Sequence, residues 1–382
     1  MGALCLAAAM PATAQVKVGF VAPMSGPQAI VGQDQYDGFA LGLELLNNKL
    51  GGQPASVLKE DDQVKPEIGS EIVRKLIERD KVDAIVGLSF TNVLMASKRW
   101  IAQSGTVAIA TNAGPSALAG EDCTPNMFVT AWQSDGPSEA MGKFVKDKGH
   151  KKVYLLAPNY QAGKDMLAGF KRFYGGQPID EVYTQINQTD YSAEIAQIQG
   201  ANPDAVFVFY PGGMGINFIK QMSQAGLLGK IPMYSVFTVD ATTMPALRDA
   251  ANGATVASMW DAGLDNPESK KFVAAFEAKY KRVPSHYAAA AFDAANLLDA
   301  AVRKAGPAYK DKKVFAAAVK AAGTSFKSVR GPFSFNNNNM PIQNYYVFKV
   351  GRDAGKLDTK LIATPLSSHV DAYASRCRAS KS

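Results

Sequence analysis

The chain is 382 residues long, with 47% hydrophobic residues, 20% charged residues and a formal net charge of +7. That length suits two or three domains, or two large ones, and the composition excludes a disordered polymer or a collagen-like repeat. Past the first 14 positions no uncharged apolar run approaches ~18 residues, so no transmembrane helix is expected.

Met1 to Ala14 carries no charge and ends in Ala12-Thr13-Ala14, the small-x-small pattern that a signal peptidase cleaves. We read residues 1–14 as a signal-peptide remnant lacking its basic start, with the mature chain beginning at Gln15. A frayed apolar terminus is the plainer alternative. Cys5 lies in the middle of the apolar stretch, which argues against lipid attachment. Cleavage leaves Cys123 and Cys377, and in an oxidising compartment two cysteines make a plausible disulfide; two buried free thiols are the alternative. Their spacing and number exclude a CxxC redox pair and a cysteine zinc site.

Short β-rich apolar runs recur at Val16–Ala22, Asp83–Val86, Val107–Ala110, Val153–Ala157, Ala205–Tyr210, Pro232–Val236 and Ala254–Met259. Helical periodicity lies between them: Ile72, Val73, Leu76 and Ile77 share one face, and further helices are expected over Val93–Gln103, Pro137–Lys148, Asn217–Ala225, Lys270–Tyr280 and Tyr287–Lys304. Such alternation predicts an α/β fold whose parallel sheets carry helices on both faces. The Asn336–Asn339 tract reads as a turn. The alternation runs twice, breaking after the irregular Thr111–Thr130 stretch, so two Rossmann-like lobes are expected. In such sheets ligands bind beyond the carboxyl ends of strands, where loops meet helix N-termini.

Those strand ends carry binding chemistry. Phe90, Thr91 and Asn92 lead from a strand into a helix, where hydroxyl, amide and backbone N–H groups converge on a positive helix end suited to a carboxylate. A simple helix cap by Thr91 or Asn92 is the competing explanation. Asn112, Ala113 and Gly114 repeat the chemistry at the next strand end, which favours a shared anion cradle over two separate caps. The second set of strand ends is aromatic, with Tyr160, Tyr210, Phe237 and Trp260 in turn, and glycine-rich at Gly212-Gly213. Aromatic side chains are commonly core, but their shared position at strand ends points to a ligand face.

Enzyme motifs are mostly absent. Phe218 occupies the third glycine place of a GxGxxG pattern after Gly213, and Asp165 follows Gly163-Lys164 where a P-loop needs Ser or Thr. There is no HExxH or GxSxG. His150, His286 and His369 fall at expected surface or helix-start positions. Asp61-Asp62 reads as a solvated acidic pair, and no basic-aromatic stripe suggests nucleic acid. No cofactor or metal is expected.

Val16–Gly52, with its Met24-Ser25-Gly26-Pro27 motif, resembles the opening of the periplasmic leucine/isoleucine/valine-binding protein family, the type I solute-binding components of ABC importers. The similarity continues through Ile85–Ala96, Thr106–Pro115, Asn159–Gly163, Asp204–Gly226 and Pro284–Ala294. It implies two lobes joined by three crossings near Ser134, near Gly263 and around Phe335–Pro341. The first lobe would comprise residues 15–134 plus 264–338 and the second 135–263 plus 339–382. It also implies a monomer in the periplasm that delivers its ligand to an inner-membrane permease. The carboxylate would be held by Phe90–Asn92 and Asn112–Gly114, with second-lobe contacts around Tyr160, Gly213 and Phe237.

The chain departs from the amino-acid binders of that family, which hold the substrate ammonium with a tyrosine and an acid. Here Gly213 and the apolar Val236-Phe237 stand near those places, although Asp240 or Asp261 could supply a carboxylate. Burying an unpaired ammonium costs several kcal/mol. Trp260–Pro267, the helix start at Pro284–Ala294 and Val329–Phe335 with Pro341-Ile342-Gln343 resemble a branch that binds benzoate and hydroxycinnamate derivatives. A small aromatic carboxylate is the expected ligand, with no role for nucleic acid. A branched-chain amino acid binder, a sensory module presenting ligand to a receptor, and an exported hydrolase are the alternatives.

Overall fold

The computed structural model describes residues 15–353 and 355–378. The expected signal remnant, residues 1–14, lies outside them. The chain builds two sheets. The first gathers β1 (Val16–Ala22), α1 (Ala29–Leu45), β2 (Lys49–Leu50), β3 (Gln53–Asp61), α2 (Pro66–Glu78), β4 (Ala84–Gly87), α3 (Thr91–Ser104), β5 (Val107–Ala110), α4 (Ser116–Ala119) and β6 (Met127–Val129). The second follows with α5 (Gly136–Asp147), β7 (Val153–Pro158), α6 (Gln161–Tyr174), β8 (Asp180–Thr184), α7 (Ser192–Ala201), β9 (Ala205–Phe209), α8 (Gly213–Gln224), β10 (Met233–Val236), α9 (Met244–Leu247) and β11 (Thr255–Ser258). Helices α10 (Pro267–Tyr280), α11 (His286–Ala305) and α12 (Lys312–Ala322) follow, and the chain ends in β12 (Ser334–Phe335), β13 (Pro341–Asp353) and β14 (Lys356–His369).

Strand order is β2-β3-β1-β4-β5-β6 in the first sheet and β12-β13-β11-β10-β9-β7-β8 in the second, with β14 on β13. The strands expected from apolar runs all form and all pair in parallel. The sheets are nevertheless mixed rather than parallel throughout. β2 is antiparallel to β3, and β12, β11 and β14 are all antiparallel to β13. The long β13–β14 ribbon escaped the sequence reading because β14 is half to fully exposed and polar along much of its length. Its alternation is too weak to announce a strand.

Local chemistry places the helices. Asn266 and Ser285 cap α10 and α11, each accepting backbone N–H groups of the first turn. α11 is alanine-rich because it is buried on nearly every face. A Cβ at Gly38 of α1 would strike the Ala288 carbonyl, and one at Gly42 would stand 2.7 Å from the Ala295 methyl, so glycine lets the two helices touch.

The chain passes between the sheets at residues 130–135, 259–266 and 323–333. Asp293 of α11 and Arg330 form a buried ion pair beside these passages. Arg330 donates onward to the Ala131 carbonyl and to Gln343, and Gln343 donates to the same carbonyl. Cys123 and Cys377 are joined as a disulfide, with Cα atoms 5.6 Å apart and 254 residues between them in sequence. Among the described residues no helix is long and apolar enough to cross a membrane.

Candidate functional site

The carboxyl ends of β4 and β5 face those of β7, β9 and β10 across the gap between the sheets. Gly87, with φ of +102°, lets β4 turn sharply; a Cβ there would collide with the Val21 carbonyl. The turn delivers Ser89, Phe90 and Thr91 to the start of α3. No side chain caps this helix, so its first N–H groups have no side-chain acceptor and face the gap at its positive end. Ser89 Oγ accepts from Gln35 Nε2 at 2.6 Å and from Asn112 Nδ2 at 3.2 Å. Gln35 Oε1 in turn accepts from Thr111 Oγ1 at 2.7 Å. With two amides donating to it, the Ser89 hydroxyl keeps its own proton to donate outward, as a carboxylate requires.

The opposite wall is aromatic. The Tyr160 ring lies between Phe90 and Phe209, with centroids 6.5 and 6.3 Å away. Phe237 stacks on Trp132 at 4.3 Å, joining a side chain of the second sheet to one of the first crossing. Phe237 has φ of +55°, a conformation that costs a non-glycine residue energy and that clusters at functional sites. Tyr287, wholly buried, closes the far side with a hydroxyl that has no hydrogen-bond partner.

The enclosed cavity measures about 20 Å³, room for about one water. Its lining contains no Asp, Glu, Lys or Arg. The nearby Asp165 is engaged elsewhere, accepting from the Ser116 backbone and hydroxyl across the gap and from Gln161. Gln28 also bonds Asn187 across the gap, and a Cβ at Gly213 would stand 2.7 Å from the Pro27 carbonyl. The two lobes are therefore in contact, a closed arrangement.

Of the residues expected from the sequence, Phe90, Thr91, Asn112, Ala113, Tyr160 and Phe237 line this one cavity. The other five lie outside it. Asn92 is turned toward the Val64 carbonyl, which its amide bonds at 2.8 Å. Gly114 packs against the Trp132 backbone, where a Cβ would collide. Tyr210 is buried in the second sheet's core, with Tyr191 and Phe218 about it. Gly213 meets Pro27 at the rim. Trp260 donates its indole N–H to Ser269 at 3.0 Å and borders a different, larger cavity.

Ser89, Trp132, Phe209 and Tyr287 line the site and were not singled out. Ser89 follows β4 and Phe209 ends β9, each beside residues that the sequence reading chose. Trp132 sits on a crossing and Tyr287 at a helix start, and neither place carries a local signal. The two candidate acids diverge. Asp261 is committed to the Gly263 N–H and the Thr359 hydroxyl. Asp240 caps the turn at Thr242 and Thr243 through one oxygen, while the other has no partner and burial pushes its carboxyl up to about 6. Among the described residues no group of three or more His, Cys, Asp or Glu is placed to hold a metal.

Two open-edged α/β lobes, three crossings and a ligand gap at their strand ends define the type I periplasmic binding protein fold, the fold of ABC-transporter solute-binding proteins. The chain belongs to the periplasmic binding protein family, whose model matches residues 15–356. It is 27% identical to a Leu/Ile/Val-binding protein homologue of Brucella melitensis over 91% of each chain. Among solved structures, a solute-binding protein of an R. palustris ABC transporter in complex with benzoate is 30% identical, with a TM-score of 0.90, covering 96% of this chain and 100% of its own. A second, from Rhodopseudomonas palustris BisB5 in complex with 3,4-dihydroxybenzoic acid, is 29% identical with a TM-score of 0.86, covering 94% and 99%.

Proposed function

We propose that this protein is the extracytoplasmic receptor of an ABC importer for a small aromatic carboxylate, which it captures between its lobes and hands to a membrane permease. The observation that carries this reading is the asymmetry of the cavity. Ser89, Asn112 and the open start of α3 offer donors on one side, while Tyr160, Phe209, Phe237 and Trp132 offer flat apolar faces on the other, with no carboxylate to pair an ammonium. The benzoate-bound R. palustris protein supports the same class. Each ring contact adds on the order of 1 kcal/mol beyond area burial. Ligand shifts the open–closed balance because only closure engages both walls.

The lobes divide near residues 134, 264 and 338, with Phe90, Thr91, Asn112 and Ala113 on the first and Tyr160 and Phe237 on the second. Export after Ala14 and a monomeric state complete the proposal. Calorimetric titration with benzoate, 4-hydroxybenzoate and leucine tests it: saturable binding of the benzoates is expected, and binding of leucine alone overturns it. A branched-chain amino acid is the second reading, favoured by one observation, the unpartnered oxygen of Asp240.

A further inference from the structure

Asp165 of α6 reaches across the gap to Ser116, the first residue of α4. Its Oδ2 accepts the Ser116 backbone N–H at 2.9 Å, and its Oδ1 accepts the Ser116 hydroxyl at 2.7 Å. We propose that this pair is a latch between the lobes and that Asp165 is a positioning residue for ligand capture, which touches no ligand and sets how long the closed form persists. The proposal rests on the reading above that a solute is captured between the lobes, and not on which solute it is.

Three observations support it. The first is place in the chain. Ser116 follows directly on the loop of Asn112 and Ala113, and Asp165 lies just over one turn beyond Tyr160, which opens α6. Asn112, Ala113 and Tyr160 line the cavity, whereas Ser116 and Asp165 do not. The contact therefore joins the supports of the two ligand walls behind the walls themselves.

The second is local need. Pro115 stands before α4 and supplies no capping side chain, so the carboxylate of the facing lobe provides the acceptor that the local sequence omits. Gln161, one turn before Asp165 on α6, donates to its Oδ1 at 2.8 Å and aims the carboxylate. The third is charge. Asp165 is 5% exposed and forms no ion pair among the described residues, since Arg172 bonds Asp135 and Glu139 instead. Burial pushes its carboxyl up, and the two Ser116 donors pull it back. Two of the three bonds it accepts thus come from the other lobe, and bonds to a carboxylate are the strong kind.

Calorimetry and stopped-flow fluorescence with benzoate, 4-hydroxybenzoate and leucine test this on the wild type, Ser116→Ala, Asp165→Ala and the double variant. Asp165→Ala should release bound benzoate about tenfold faster with the on-rate within twofold, because the latch forms only after the ligand is seated. Ser116→Ala keeps the backbone N–H and should release it about threefold faster. The double variant should match Asp165→Ala, because both changes break one contact. Benzoate and 4-hydroxybenzoate should suffer alike, since the latch meets neither. If Asp165→Ala does not fold, Ser116→Ala decides alone by its release rate. Wild-type release from a folded variant, or penalties that multiply in the double variant, overturns the latch and leaves the capture reading standing. Binding of leucine alone overturns the aromatic-acid reading, and the same rates measured with leucine then decide the latch. A wild type that binds none of the three overturns both.

Discussion

Arg330 directs Nε and Nη2 onto a single oxygen of Asp293, at 3.1 and 2.9 Å, in a pair almost sealed from solvent. Its remaining nitrogen reaches the Ala131 carbonyl and Gln343, so one guanidinium ties α11, the first crossing and β13 together. Arg330→Met leaves the Asp293 carboxylate buried with only Ser328 and the Val329 N–H. The expected loss is about 3–5 kcal/mol of unfolding free energy, read from urea denaturation. A loss below about 1 kcal/mol would mean the pair does not hold the hinge.

Ser89→Ala removes the hydroxyl on which Gln35 and Asn112 converge. Affinity for benzoate is expected to fall about 10- to 100-fold with the circular dichroism spectrum unchanged. Unaltered affinity in calorimetry rejects Ser89 as the donor that meets the carboxylate.

Gly213→Ala acts from the facing lobe. In this closed arrangement the added methyl would stand 2.7 Å from the Pro27 carbonyl, a contact that parting of the lobes would relieve. Saturating ligand should contract the wild type in small-angle X-ray scattering and contract the variant less, with weaker binding. Equal contraction in both shows that this rim does not limit closure.

Asp240 makes stability depend on pH. Its carboxyl is raised by burial from an ordinary 3.8 to about 6, so the folded protein keeps a proton that the unfolded chain has released. Stability therefore falls as pH rises from about 4 to 6 and stays lower above, a cost of order 3 kcal/mol. Asp240→Asn retains the cap to Thr242 and Thr243 and removes that cost. Melting curves should show the variant ahead of the wild type at pH 7.5 and level with it at pH 4; a gap that ignores pH rejects the argument.

The Cys123–Cys377 bond closes a loop of 254 residues, for which chain entropy sets a stabilisation near ~5 kcal/mol. Denatured protein that has met no reductant should show no reactive thiol, and Cys377→Ser should melt lower. Two titratable thiols in that sample contradict the bond.

The parallel core was legible because its strands are short, apolar and separated by amphipathic helices, as with Val107–Ala110 between α3 and the loop at Asn112. The lining of the candidate cavity was legible where one strand end supplies both the loop and the chemistry, as at Phe90, Thr91 and Tyr160. It was not legible where the lining depends on contacts distant in sequence. Trp132 lines the cavity only because a crossing lays it on Phe237, and Ser89 is oriented by Gln35, 54 positions earlier. Tyr210 and Trp260 lie outside that lining for the same reason: each ends or follows a strand, yet Tyr210 is packed under α8, while Trp260 packs on α10 and borders the larger cavity.

The side chains of Asn338 and Asn339, in the β12–β13 turn just past the third passage, bond the carbonyls of Ala119, Thr124 and Pro125, which surround Cys123. The sulfur bridge is thus anchored beside the fulcrum rather than at the jaws. A rivet so close to the axle hardly stretches as the far rims part, so the oxidised molecule can be toughened against peeling of its tail and still swing through its whole stroke.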